Sequence, residues 1–273
     1  MTSLISWVGV DSRGASSLYF ASDSRISWPG TAGIWDHGRK LFACRRYPHM
    51  FGYCGDVLFP TQTLSQITEV IDSDLIAFSP AGTIDRSTEQ VVSIMESALN
   101  TYPAVARNKF DILYCTREGE YMQARFHLRQ IAFDPPAAPT ISSIEIPGES
   151  GAAAILGSGS QTVRTHLNRW AKSHVGGTSR AVFSAFCDSL QSESDPLSGG
   201  PPQLVGLHRK SPPKTFGMIW QQRRYFYGLE ASPPDTQDGV GWFNELFEIC
   251  DPQTLARKRG AQPQPRPAGS SRR

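Results

Sequence analysis

Four short stretches hold residue types that do chemistry when a fold brings them together. Phe20-Ala21-Ser22-Asp23-Ser24-Arg25 places a carboxylate late in a segment that alternates like a half-buried strand. A charge held there needs a partner. Gly38-Arg39-Lys40-Leu41-Phe42 carries a lysine into the start of the following strand. Gly52-Tyr53-Cys54-Gly55-Asp56 sets two glycines between a strand and a helix, and such a turn exposes backbone N–H groups that can form an oxyanion hole. Gly157-Ser158-Gly159-Ser160 and Asp195-Pro196-Leu197-Ser198-Gly199-Gly200 add hydroxyls and a carboxylate on glycine-rich loops. Each stretch also has a plain structural explanation. Asp23 with Lys40 can be an ion pair and nothing more, the glycines can serve tight turns, and residues 157–160 lack the lysine of a phosphate-binding loop.

The elements that must position these residues follow from hydrophobic period. Residues 2–10 and 18–24 read as a hairpin turning at Asp11-Ser12-Arg13-Gly14, and a second strand pair covers 40–44 and 50–54. The period then lengthens. Leu64, Ile67, Val70 and Ile71 share one helical face, and Val91, Val92, Ile94, Met95 and Leu99 mark a second helix, with Ser87 and Gln90 spaced as a capping box. Strands return at 110–115 and 121–126. Residues 134–151 form a Pro- and Gly-rich surface excursion around a short strand. After a strand at 153–157, helices are predicted over 161–172 and 180–190, strands over 203–208, 218–222 and 224–229, and a last helix over 242–250. Strands, two helices, strands, two helices, strands is an α+β order with no βαβ series.

The 273 residues suit one large domain, here 1–252. Residues 253–273, rich in Pro, Gly, Gln and Ser, predict a disordered tail. Residues 257–273 hold six basic and no acidic residues, so the remainder carries 21 basic against 25 acidic, and the net +2 comes from the tail. A solvated end is the expectation for it, and nucleic-acid binding is not. Five scattered cysteines and six histidines show no ligand spacing, so no metal and no cofactor is expected. No apolar run reaches the roughly 18 residues of a membrane span. The first residues have neither the basic region nor the apolar core of a signal peptide, so a cytoplasmic location is expected.

Taken in order, the four stretches resemble the proteasome β-subunit superfamily of N-terminal nucleophile hydrolases. Phe20 to Arg25 and Gly200-Pro201-Pro202 bring the bacterial Anbu proteins nearest within it. The resemblance covers about residues 2–230. It implies a four-layer αββα sandwich, two antiparallel sheets between helix layers. It also implies a terminal threonine as nucleophile: Thr2 after removal of Met1. Asp23 and Lys40 take the places of the family's strand aspartate and strand lysine, and Gly55 that of the oxyanion glycine. Ser158, Asp195 and Ser198 match the residues that orient the terminus, at the interval expected of β-subunits. Tyr53, two before the oxyanion glycine, takes the place that lines the substrate pocket, and Ser27 the place that pairs with substrate backbone.

That family's reaction suits these residue types, because a hydroxyl attacks only when a base takes its proton. Residues 2 to 23 span a longer interval than in the family. A longer hairpin absorbs it only with a β-bulge, since a slip of one residue flips every side chain. Ser6 is the rival nucleophile by spacing. The expected function is a threonine-type peptidase or amidase acting on peptides or unfolded protein as a homo-oligomer, a ring or an open helical assembly. The alternative is a catalytically silent scaffold subunit of the same fold.

Overall fold

The computed structural model describes residues 2–28, 30, 33–76, 84–232 and 239–267. The chain opens with hairpin β1 (Leu4–Asp11) and β2 (Gly14–Ser22), followed by the short pair β3 (Ile26–Ser27) and β4 (Ile34–Trp35). Next come β5 (Leu41–Ala43), β6 (His49–Gly55), helices α1 (Leu58–Asp72) and α2 (Ile84–Thr101), and strands β7 (Phe110–Glu118), β8 (Arg125–Phe133), β9 (Thr140–Ile144) and β10 (Gly151–Leu156). Helices α3 (Ser160–Ala171) and α4 (Ser179–Gln191) precede β11 (Gln203–His208), β12 (Lys214–Trp220), β13 (Arg223–Phe226), β14 (Leu229–Glu230), β15 (Trp242–Phe243) and β16 (Ile249–Cys250).

One sheet runs β10-β1-β2-β11-β12-β13-β14, with β15 and β16 joined at β12; the other runs β5-β6-β7-β8-β9. Among the described residues, the strand pairings are antiparallel except that of β12 with β15. Strand alternation sorts most of the apolar residues among three main clusters. Leu4, Leu18, Phe20, Leu41, Met50, Leu113, Leu128, Val205 and Leu207 fill the space between the sheets. Phe51, Tyr53, Ile112 and Tyr114 point outward under α1 and α2. Ile5, Trp7, Ala21 and Leu204 point outward under α3 and α4. The result is the four-layer αββα sandwich, each sheet burying both faces.

The first hairpin contains the bulge its length demands. Gly9 pairs with Ser17 but Val10 with Ala15, so Ser16 is the extra residue, and the register beyond it brings Leu4 opposite Ser22.

Several elements differ from expectation. Residues 242–250 form β15 and β16, not a helix. Asn244 Oδ1 accepts from the N–H groups of Leu246 and Glu248, and Phe247 has φ 57°, so the chain reverses where a helix would have continued. The 121–126 strand starts at Arg125, after a single 3-10 turn at Tyr121–Gln123. Helix α2 begins at Ile84, which puts Ser87 inside its first turn and not at its cap. The 134–151 excursion supplies β9, which hydrogen-bonds to β8 as the edge of the second sheet.

The tail expected to be disordered lies on the body as far as Pro267; residues 268–273 fall outside the described residues. Arg266 pairs with Asp188 at 2.7 Å and Glu245 at 3.2 Å, Gln264 N donates to Glu248 Oε1 at 2.7 Å, and Arg180 donates to the carbonyl of Gln262. The tail's positive charge thus meets acidic side chains of the body. Among the described residues, no helix is long and apolar enough to cross a membrane, and no cluster of His, Cys, Asp or Glu could hold a metal ion.

Candidate functional site

The site lies where the start of β1 meets the ends of β2 and β5. Ser3 stands across from Asp23: Ser3 N donates to Asp23 Oδ1 at 3.0 Å, and Asp23 N donates to the Ser3 carbonyl at 3.2 Å. Lys40, one residue before β5, reaches the same carboxylate, with Nζ 2.8 Å from Asp23 Oδ1 and 2.5 Å from the Arg25 carbonyl. Both side chains of this ion pair are 0% exposed. The other carboxylate oxygen, Oδ2, accepts from Arg25 N at 3.2 Å and Gly199 N at 3.0 Å. Burial pulls the Lys40 ammonium below its ordinary pKa of 10.5, and the facing Asp23 carboxylate opposes that pull.

The second half of the site is a run of side-chain hydrogen bonds. Ser158 Oγ and Ser198 Oγ both donate to Asp195 Oδ2, at 2.9 and 2.7 Å. Ser3 Oγ donates to Ser198 Oγ at 2.9 Å. The structure therefore brings Asp23, Lys40, Ser158, Asp195 and Ser198 around the first residues of the chain, from sequence positions up to 195 apart. Thr2 is 1% exposed, and its carbonyl accepts from Gly159 N at 3.4 Å. Gly157, with φ 90°, turns beneath it; a Cβ there would sit 1.9 Å from the Thr2 oxygen, so only glycine allows the approach.

Gly55 ends β6 opposite Phe110 with its surface exposed. Ser27 lies in β3, paired with Ile34 of β4. Tyr53 faces the helix layer and is fully buried, so its ring fills the space under α1 where an open pocket wall was expected. Its hydroxyl donates to the Arg39 carbonyl at 3.2 Å and accepts from Thr61 Oγ1 at 2.7 Å. The neighbouring Cys54 takes the opposite face of β6, where burial raises its thiol to about 12. Ser6 is not beside Asp23. It pairs with Phe20 and Ala154 in mid-strand, and among the described residues its Oγ has no hydrogen-bond partner. The bulge at Ser16 spends the extra residues farther along the hairpin, which is why counting to Asp23 favoured Ser6.

Three contributors were missed from sequence. Ser3 is one. Arg25 is another: it grips Asp36 with two hydrogen bonds, at 2.7 and 2.9 Å, and its Nη1 donates to the carbonyls of Pro196 and Ser198, tying the loop that bears Asp195 to β2. The third is Gln203. It accepts from Lys40 N and donates to the carbonyls of Asp23 and Gly38, fastening β11 to both charged strands. Only the Asp-Ser-Arg sequence hinted at Arg25; nothing local marked Gln203.

Comparison with protein-family models and with curated proteins finds no match. Solved structures do match. Anbu from Pseudomonas aeruginosa, in a helical assembly, superposes with a TM-score of 0.52 at 15% identity, over 82% of this chain and 86% of that one. A Gly-1 mutant of Anbu from Hyphomicrobium sp. strain MC1 gives 0.50 at 17% identity, over 79% and 87%. Anbu, the ancestral beta-subunit, from Yersinia bercovieri gives 0.50 at 14%, over 77% and 82%. The chain shares the four-layer αββα fold of these structures. This is the N-terminal nucleophile hydrolase sandwich, and at these identities the likeness is one of fold. In this fold, the buried Asp23 and Lys40 sit at the strand ends that flank Thr2 and Ser3.

Proposed function

We propose that the chain is a threonine-type N-terminal nucleophile hydrolase of peptide or amide bonds, with Thr2 as nucleophile once Met1 is removed. The observation that carries this reading is the fully buried pair of Lys40 and Asp23, set against the residue that follows Thr2. A buried ion pair is weak evidence of stability in its own right, whereas a positive charge held beside a terminal hydroxyl and amine has a chemical use. Thr2 Oγ attacks the carbonyl carbon while its proton passes to the Thr2 α-amine, a base whose ordinary pKa is about 7.7–8.0. Lys40 favours the neutral amine and the developing alkoxide. The carbonyl oxygen becomes an anion met by the Gly55 N–H. Collapse breaks the C–N bond, and the leaving amine takes the proton from the ammonium group. Water, deprotonated by the same amine, then cleaves the ester and restores Thr2. Ser158, Asp195 and Ser198 orient the terminus. Ser27 pairs with substrate backbone.

The subunits assemble with one another in this reading. Leu58 opens α1, Leu75 follows its end and Val105 follows α2, and they are 60%, 76% and 98% exposed, which leaves apolar surface for contacts between copies. Sedimentation velocity tests this, and a monomer at micromolar concentration would rule it out.

Intact mass of the mature protein, before and after treatment with a peptide epoxyketone, tests the chemistry. This probe requires a hydroxyl and a free α-amine on one residue. The expected result is a chain starting at Thr2 with one adduct on it. An active preparation that retains Met1 would overturn the assignment. The second reading, a silent scaffold subunit, is favoured by Thr2 being 1% exposed. No adduct on a chain that starts at Thr2 would establish it.

A further inference from the structure

Ser3 is the most heavily tied residue at the start of the chain. Its N–H and carbonyl are both engaged by Asp23, through the side chain and the backbone respectively. Its hydroxyl donates to Ser198 Oγ, which donates to Asp195 Oδ2, which also accepts from Ser158 Oγ. The residue is 2% exposed. A Cβ on residue 159 would lie 1.9 Å from Ser3 Oγ, 2.8 Å from Ser198 Oγ and 3.1 Å from Asp195 Oδ2, so the middle of the Gly157-Ser158-Gly159-Ser160 loop has to be glycine for the Ser3 hydroxyl to arrive. Two distant loops and a strand aspartate thus converge on residue 3.

Chain ends fray unless tied down, and a nucleophile at an end is useful only if it is held in place. We infer that Ser3 is a positioning residue. By anchoring its own backbone and hydroxyl it fixes the peptide plane that carries Thr2, and so fixes where the Thr2 hydroxyl and amine sit relative to Lys40. This rests on Thr2 being the nucleophile. Misplacing a reactive group by about an ångström costs up to roughly a hundredfold in rate, whereas binding of the rest of a substrate does not depend on it.

The test uses the full chain and a peptide epoxyketone, with labelling rate and saturation measured separately across pH. Ser3→Ala should lower the maximal labelling rate by at least about tenfold with half-saturation unchanged, and should move the pH at which the rate is half-maximal. Ser3→Thr, which keeps the hydroxyl, should recover most of the rate. Ser198→Ala removes the acceptor without touching the chain start, and the double variant should be no slower than the slower single one. Wild-type rate in Ser3→Ala would overturn the proposal, as would no recovery in Ser3→Thr or multiplicative losses in the double variant. If Ser3→Ala fails to fold, Ser198→Ala decides alone: a wild-type rate and pH profile there overturns the proposal. A wild-type chain that starts at Thr2 and takes no label overturns the hydrolase reading as well, and so is told apart from a failure of Ser3 alone.

Discussion

Lys40 Nζ stands 2.8 Å from Asp23 Oδ1, and neither side chain has any exposure to solvent. Lys40 is tolerable in that position because Asp23 faces it, and Asp23 because Lys40 and the N–H groups of Ser3, Arg25 and Gly199 surround it. Removing one leaves a buried ion without a counter-ion, which costs about 3–5 kcal/mol, whereas removing both charges together costs far less. Lys40→Ala and Asp23→Asn should therefore abolish labelling of Thr2 and also lower stability, while Lys40→Met with Asp23→Asn should be inactive yet close to wild type in its denaturant midpoint. Full activity in Lys40→Ala would refute the assigned role.

Acid sensitivity should come partly from His49. Its side chain is buried against Tyr114, whose hydroxyl lies 2.8 Å from Nδ1, and burial pulls its pKa from 6.5 down to about 4. A folded-state pKa below the unfolded one means that the unfolded chain binds the extra proton first. Stability is then fully present above pH 6.5 and falls as pH drops toward 4, by about 3 kcal/mol from this group. Urea midpoints measured between pH 7 and 4 should show this loss, and His49→Leu combined with Tyr114→Phe should flatten it. An unchanged slope would mean that other groups carry the acid dependence.

The tail should matter for stability and not for assembly. Asp188 accepts from Trp170 Nε1 at 2.8 Å and pairs with Arg266, and its side chain is 9% exposed. Deleting residues 257–273, or Arg266→Ala alone, leaves that carboxylate short of a partner and should cost about 1–3 kcal/mol in thermal unfolding. The sedimentation profile should stay that of the full chain; collapse to monomers would show the tail to be part of the interface.

Tyr53 fills its place under α1 completely, so shortening it should change stability and not substrate preference. Tyr53→Ala should destabilise by about 3–5 kcal/mol through the cavity it leaves, and should leave preference among fluorogenic peptides for the side chain ahead of the scissile bond unchanged. Tyr53→Phe, which keeps the volume and loses only the hydroxyl, should keep the wild-type preference. A shift toward larger side chains in Tyr53→Ala would show that the substrate pocket reaches under α1.

Much of this protein is determined locally. Period-2 alternation in the strands and period-3.6 faces in α1 and α2 are properties of neighbouring residues, so most elements and their order were legible from the sequence, while the four layers were what the family resemblance implied. So were Asp23 and Lys40, because a charge inside an alternating strand demands a partner, and the need for a bulge in the first hairpin, because a one-residue slip would turn its core face outward. Tertiary structure decided the rest. Ser3 and Ser198 are 195 positions apart, and no local pattern links them. Tyr53 and Cys54 differ only in which face of β6 each takes, a choice set by register against β5 and β7. Residues 253–267 have the composition of a disordered tail, yet they dock because acidic side chains on the body, Asp188, Glu245 and Glu248, lie where Arg266 and the Gln264 N–H can reach them. Composition records how many charges a segment has, and only the folded body determines what those charges meet.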